Sequence, residues 1–385
     1  MPASAAVSDD RRVAIEGWRS LPHSYAIVNQ WQILSFLRKG YAVDFHDLPF
    51  QGTRAPEFRG IFSSEDEKIL RGLYDTRPDV SYDLCYRICY PLSLRNRSST
   101  GGKAKRVMVF GTAEHQLLAD GYLAYKPDIE ELNSDENFFA ISPSVWSSAG
   151  FLKLGLSPSR VKVVPHGVDT LTFNNDRTRR DEIRNQLGLR GFAFLNCGAM
   201  TRNKGVDLLL RAFRNLLERY PDAQLVLKGT DRLFDSKNLV FSYLRELDHH
   251  GQGKVAERIV YIGHELSMAA MSDIYRAADV YVSPYRAEGF NLPVLEAAAC
   301  GTPILCTGGG PTDDFVTDAF SKKITAIFNE SANGNWLEPN LDHLVALMEE
   351  AIQAHEFRAA ALIEGPSYVS PAYSWDRIVD RLISL

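Results

Sequence analysis

Short runs rich in Val, Ile, Phe and Tyr alternate with segments of helical periodicity along almost the whole chain. That alternation predicts parallel sheets flanked by helices. In the first half RRVAIEG, YAVDFHDL, YDLCYRI, KRVMVFG, NFFAIS and VKVVP read as strands, with helices around 24–39, 66–74 and 145–154. The pattern restarts with FAFLNCG and a helix over 205–220, then AQLVLKG, RIVYIG, a helix over MAAMSDIYRAA, VYVSPY, a helix over 293–300, and TPILCTG. Between the halves PHGVDTLTFNNDRTRRDEIRNQ is polar and turn-rich, which places a boundary near Gly167 to Phe173. Open parallel sheets bind ligands outside the carboxyl ends of their strands, so a cleft between two such domains is the expected ligand site.

Composition narrows the partners. The 385 residues are 45% hydrophobic and 24% charged, which excludes disordered and fibrous classes. With 43 basic and 48 acidic side chains and a net charge of -5, a dedicated nucleic-acid binder is not expected. The N-terminal MPASAAVSDDRR has no apolar core of leader length, and no stretch reaches membrane-spanning length, so a cytoplasmic chain is expected. The five cysteines read as reduced core residues; a metal site at Cys85 and Cys89 is the alternative.

Two segments carry the chemistry. In VYVSPYRAEGFNLPVLEAAACGTPIL a buried strand ends near Tyr285, a loop holds Glu288, Phe290 and Asn291, and Pro293 suits a first helical position. Glu296 then falls in the opening turn, and the amides of Asn291, Leu292 and the first turn offer a phosphate site. Two carboxylates beside a phosphate site fit a nucleotide sugar, whose hydroxyls donate to the carboxylates while its diphosphate faces N–H groups and a cation. The alternative makes Glu296 a helix-dipole partner and Glu288 a solvated loop charge. In FLNCGAMTRNKGVDLLLRAF, Arg202 and Lys204 stand where a strand gives way to a helix. A bound anion would offset the dipole's penalty on those cations; two solvated loop cations are the alternative.

These segments resemble the retaining GT-B glycosyltransferases of family 4. EGFNLPVLE has that family's two glutamates with seven residues between them and the AAACGTPIL continuation, GAMTRNKGVDLLLRAF resembles its phosphate-gripping loop and helix, and VVPHGVDTLTF resembles its interdomain segment. The resemblance implies that Glu288 contacts donor sugar hydroxyls, that the amides of Phe290, Asn291 and Leu292 meet sugar and phosphate, that Glu296 takes the ribose, and that Lys204 takes the diphosphate. The family commonly has Arg directly after the loop glycine; here Ala199 follows Gly198, so either Arg202 supplies the charge or the grip is weaker.

In the first half the resemblance places GWRSLPHSY in the loop after the first strand, with Gly17 facing the substrate, and His115 of GTAEHQLLADGY close to the sugar, with Glu114 as an alternative contact. Arg19 and His23 in that first loop read as a solvated arginine and a capping or surface histidine, with polar groups facing the cleft as the alternative. RNRSSTGGKAKR gathers Arg95, Arg97, Lys103, Lys105 and Arg106 in a Ser/Gly-rich loop, read as solvated surface, with peripheral contact to an anionic bilayer as the alternative.

The expected architecture is α/β of the GT-B type, two Rossmann-like domains facing each other across a cleft: 1–168 for the acceptor, 169–365 for the nucleotide sugar, and a C-terminal helix at 366–385 crossing back to the first. The expected activity is retaining transfer of a hexose-type sugar from a nucleoside diphosphate sugar to a hydroxyl acceptor, lipid-linked in many relatives, in cell-surface polysaccharide or glycolipid assembly. Neither a cofactor nor a metal is expected. A nucleotide-sugar epimerase and an inactive nucleotide-sugar-binding protein are the alternatives; a dinucleotide oxidoreductase is disfavoured because no G-x-G-x-x-G follows the first strand.

Overall fold

The computed structural model describes residues 11–50, 57–247 and 249–385, so most of the stretch examined for a leader lies outside the described residues. The chain divides into two compact units, one of 1–167 with Trp375–Leu385 and one of Val168–Ser374.

The first unit is built on six parallel strands, β1 (Arg12–Gly17), β2 (Ala42–Asp47), β3 (Ser81–Ile88), β4 (Lys103–Phe110), β5 (Phe138–Ser142) and β6 (Val161–Val163), in the order β2-β1-β3-β4-β5-β6. Helices α1 (Ser24–Arg38), α2 (Ser64–Arg71), α3 (Ile129–Ser134) and α4 (Val145–Lys153) connect them. The interiors of β1, β3 and β5 and the second half of β4 are buried, as expected where helices cover a parallel sheet, while the edge strand β6 is partly exposed. Chain order reverses between β1 and β3, which makes the carboxyl ends of those strands a switch point.

The second unit repeats the plan. It contains helix α5 (Arg180–Gln186), strand β7 (Ala193–Cys197), α6 (Val206–Leu217), β8 (Gln224–Lys228), α7 (Ser236–Glu246), α8 (His249–Glu257), β9 (Ile259–Ile262), α9 (Met268–Ala277), β10 (Val280–Ser283), α10 (Leu292–Ala299), β11 (Ile304–Thr307) and β12 (Ser321–Ile324). The strand order is β12-β11-β10-β7-β8-β9, with the switch point between β7 and β10. An antiparallel hairpin of β13 (Ala326–Asn329) and β14 (Trp336–Pro339), then α11 (Leu341–Gln353) and α12 (His355–Tyr373), complete it. The core gathers Leu209, Leu210, Phe213 and Leu216 of α6, Leu225 and Leu227 of β8 and Val280 and Val282 of β10.

Three sequence expectations need correction. The second unit does not end at 365: α12 runs on to Tyr373, and only the final helix α13 (Trp375–Ser384) joins the first unit. There Asp376 accepts from Ser35 Oγ at 2.6 Å and pairs with Arg38 at 2.7 Å, while Asp380 pairs with Lys39 at 2.7 Å. The basic segment is not all loop, because Lys103, Lys105 and Arg106 lie on β4. Its charges are partly committed: Lys105 pairs with Asp83 at 2.7 Å, Arg106 donates to the Ile383 carbonyl at 3.2 Å, and Arg95 lies 4.2 Å over the Tyr125 ring. Arg19 is not simply solvated, since it forks onto Asp47 at 2.7 and 3.1 Å and donates to the Leu70 carbonyl at 2.6 Å. All five cysteines are free and buried, as read from the sequence.

Candidate functional site

The loops after β7 and β10 leave neighbouring strands at the switch point and carry most of the candidate residues. After β7 the chain makes a tight turn at Arg202–Lys204, then enters α6 through Gly205. Gly205 has φ +72°, and a Cβ there would overlap the Pro284 carbonyl, so only glycine lets the two loops approach this closely. The approach is also hydrogen-bonded: the amides of Arg286 and Ala287 both donate to the Asn203 carbonyl, at 2.7 and 3.2 Å.

That contact brings together two residues which the sequence assigned to different parts of a ligand. Lys204 Nζ lies 2.8 Å from Glu288 Oε2, with the side chains 20% and 11% exposed. Neither is a solvated loop charge. Arg202, two residues earlier, has an exposed side chain, although its carbonyl is held by Arg286.

After Glu288 the chain enters α10. Asn291 adopts left-handed backbone with φ +76°, which Asn tolerates better than most residues, and its Nδ2 donates to Ser283 Oγ at 2.9 Å. Phe290 is buried and stacks on Phe315 with ring centroids 4.6 Å apart, so its ring packs rather than faces a ligand. Leu292 opens the helix and Pro293 follows, where its missing N–H costs nothing.

Glu296 is not in the opening turn of α10; the helix starts at Leu292, which puts Glu296 one turn in. There it accepts from Tyr275 Oη of α9 at 2.7 Å. Burial pushes the Glu296 carboxyl up to about 7, against the opposing effect of that hydrogen bond. The helix-dipole alternative loses its basis, because the macrodipole acts within the first turn.

The other two candidates belong to the first unit. Gly17 ends β1, where a Cβ would overlap the Asn29 amide and the Ile88 carbonyl; glycine here lets β1 pack against α1 and β3. His115 is half-buried in the turn after β4. That turn is fastened by Trp146 Nε1 to the Glu114 carbonyl at 2.7 Å and by the Ala113 amide to Ser147 Oγ at 2.7 Å. His23 is the capping residue of α1: its Nδ1 accepts from the Tyr25 amide at 3.2 Å, and burial lowers its pKa to about 4.

Sequence reasoning missed Tyr275, Arg286 and Asp207. Arg286 clasps Asp207 of α6 with both terminal nitrogens at 2.6 and 3.0 Å and also holds Glu338 of β14 at 2.9 Å. In the sequence Asp207 and Arg211 look like an exposed helical pair four apart, and only the fold shows Asp207 to be buried.

Comparison with known proteins agrees with this layout. Residues 191–338 match the family described as glycosyl transferases group 1. The chain is 27% identical over 231 residues to an uncharacterized glycosyltransferase of Methanocaldococcus jannaschii, covering 59% of this chain and 53% of that protein. It is 34% identical over 160 residues to the lipopolysaccharide core biosynthesis mannosyltransferase LpsB of Rhizobium meliloti, covering 40% and 42%. The chain thus spans about half the length of the curated relatives it matches. Among solved structures HepE of Anabaena in complex with UDP-glucose is 16% identical with a TM-score of 0.66, covering 97% of this chain and all of that one. The shared fold is GT-B.

Proposed function

We propose, from the match of residues 191–338 to the family described as glycosyl transferases group 1, that this chain moves a hexose-type sugar from a nucleoside diphosphate sugar to a hydroxyl acceptor with retention at the anomeric carbon. The observation that carries the reading is the Lys204–Glu288 pair at the switch point between β7 and β10, beside the start of α10. A cation, a carboxylate and a helix N-terminus in one place match the anionic and hydroxylated halves of such a donor.

In this reading Lys204 turns from Glu288 to the diphosphate and stabilises the charge that develops as it departs. Glu288 is then released to accept from sugar hydroxyls, Glu296 accepts from the ribose, and the amides of Phe290, Asn291 and Leu292 meet the sugar and phosphate. The acceptor hydroxyl attacks C1 on the face from which the diphosphate leaves. Its proton passes to the departing phosphate oxygen as the C1–O bond to phosphate breaks and the new C1–O bond forms. Gly17 and His115 would serve the acceptor side. Lys204 and the α10 N-terminus take the electrostatic role a divalent ion fills elsewhere, so transfer should survive EDTA; loss reversed by Mg²⁺ would refute that part.

LpsB is named for lipopolysaccharide core biosynthesis, which supports cell-surface polysaccharide or glycolipid assembly as the setting. The decisive experiment incubates the protein with UDP-, GDP-, ADP- and dTDP-hexoses, with and without polysaccharide and glycolipid acceptors. A thermal-shift readout should show about 2.7 kcal/mol of stabilisation at 100 times the dissociation constant of the right donor. Product analysis should then show an acceptor glycoside. A new nucleotide sugar formed from donor alone would establish an epimerase instead.

A further inference from the structure

The guanidinium of Arg286 uses all five of its N–H groups. Nη1 donates to Asp207 at 2.6 Å and to the Arg202 carbonyl at 2.9 Å, Nη2 to Asp207 at 3.0 Å and Glu338 at 2.9 Å, and Nε to Glu338 at 2.9 Å. One buried side chain therefore joins the turn after β7, the first turn of α6, the loop after β10 and the hairpin strand β14. Its backbone does the same: the Arg286 amide donates to the Asn203 carbonyl at 2.7 Å, and the Arg286 carbonyl accepts from the Leu337 amide at 2.8 Å.

The clamp flanks the reacting groups on both sides. Lys204 follows Arg202 by two residues and Glu288 follows Arg286 by two, so the two side chains that pair at 2.8 Å are carried on the two loops that Arg286 ties together. We infer that Arg286 is a positioning residue for the sugar transfer proposed above: it holds the Lys204 ammonium at a fixed place relative to the Glu288 carboxylate, and the inference rests on that functional reading. The planar fork of arginine is needed because three acceptors on three elements lie around it, and a lysine ammonium is a point charge that cannot span them. Arg286 is also the closer of two charge partners of the buried Asp207 carboxylate, at 2.6 Å against 3.7 Å for Arg211.

The test is a double-mutant cycle on the full chain, with Arg286→Lys and Lys204→Ala, following kcat, donor KM and the affinity for UDP and GDP by calorimetry. Arg286→Lys keeps the charge and should lower kcat by about tenfold to a hundredfold, the scale of a misplaced catalytic group, with a smaller loss of nucleoside diphosphate affinity. In the Lys204→Ala background it should have little further effect on kcat, because the group it positions is gone. Glu338→Gln loosens the same clamp at its half-exposed end; it should show a smaller kcat loss with the same dependence on Lys204, and it carries the test if Arg286→Lys does not fold. Unchanged kcat in folded variants, or equal losses in both backgrounds, would overturn the positioning role alone. A wild-type protein that neither binds UDP or GDP nor transfers sugar would overturn the functional reading and this inference with it.

Discussion

Lys204 Nζ and Glu288 Oε2, 2.8 Å apart, link the loops that follow β7 and β10. Each neutralises the other in a largely buried setting, so each also limits what the other can do alone. Glu288→Gln should release Lys204 and leave the affinity for UDP or GDP unchanged or slightly raised, while turnover falls by one to several orders of magnitude because the sugar loses its acceptor. Parallel calorimetry and rate measurements separate the two effects. A fall in nucleoside diphosphate affinity equal to the fall in turnover would remove Glu288 from the sugar.

Glu296 makes a pH-dependent prediction. Its carboxyl titrates near 7 in the folded chain against an ordinary value of 4.5. The folded state therefore holds the proton more tightly, its contribution is most favourable below pH 4.5, and stability is lost as pH rises towards 7. Glu296→Gln removes this penalty and should gain about 1 to 3 kcal/mol on the wild type between pH 5 and pH 8 in denaturant unfolding. If the carboxylate takes a ribose hydroxyl, wild-type affinity for UDP or GDP should rise over the same interval and the variant's should stay flat. Identical profiles for the two proteins would dismiss both statements.

Much of this was legible in the sequence, for physical reasons. Strands buried on both faces and helices with one apolar stripe write their period into the chain, so β1 to β11 and the helices beside the site lie where the pattern put them. Part of what eluded it was set by tertiary packing, although α11, with Leu344, Leu347, Met348 and Ala351 on one face, carries a local period that went unread. Gly365 followed by Pro366 is a stop signal, yet α12 continues through both, with Gly365 set against the Ala298 carbonyl. Strand β12 is SKKI, with two lysines at its centre, and the hairpin of β13 and β14 leaves Ile327 and Phe328 exposed, so neither shows the apolar run of a buried strand. Within the site the glutamates and the lysine were readable, but the Lys204–Glu288 pair and the Arg286 clamp join residues about eighty positions apart.

A stability prediction comes from the first unit. Arg87 and Glu16 are fully buried and pair at 2.7 Å; Glu16 also accepts from Ser98 and Ser99, and Arg87 donates to the carbonyls of Ser93, Arg95 and Arg97. Arg87→Met would strand a buried carboxylate and should destabilise by about 3 to 5 kcal/mol. Arg87→Met with Glu16→Gln should cost less than the sum of the single changes, because no charge is left unpaired. Additive losses in denaturant unfolding would show that the pair does not act as a unit.

The last prediction concerns the charge absent at Ala199. If Arg202 replaced it, Arg202 and Lys204 would face one diphosphate and their effects would be coupled. The structure separates them: Lys204 is drawn inward to Glu288, while the Arg202 side chain is exposed and it is its carbonyl that is held, by Arg286. Removing the Arg202 side chain leaves that carbonyl in place, so Arg202→Ala should lower turnover less than about threefold, within the range of a surface change. Lys204→Ala should cost one to several orders of magnitude. The double variant should then equal the sum of the two within about 0.5 kcal/mol, the limit for independent sites. A larger interaction energy would place Arg202 on the diphosphate after all, and an active Lys204→Ala would remove the phosphate-gripping role from this loop.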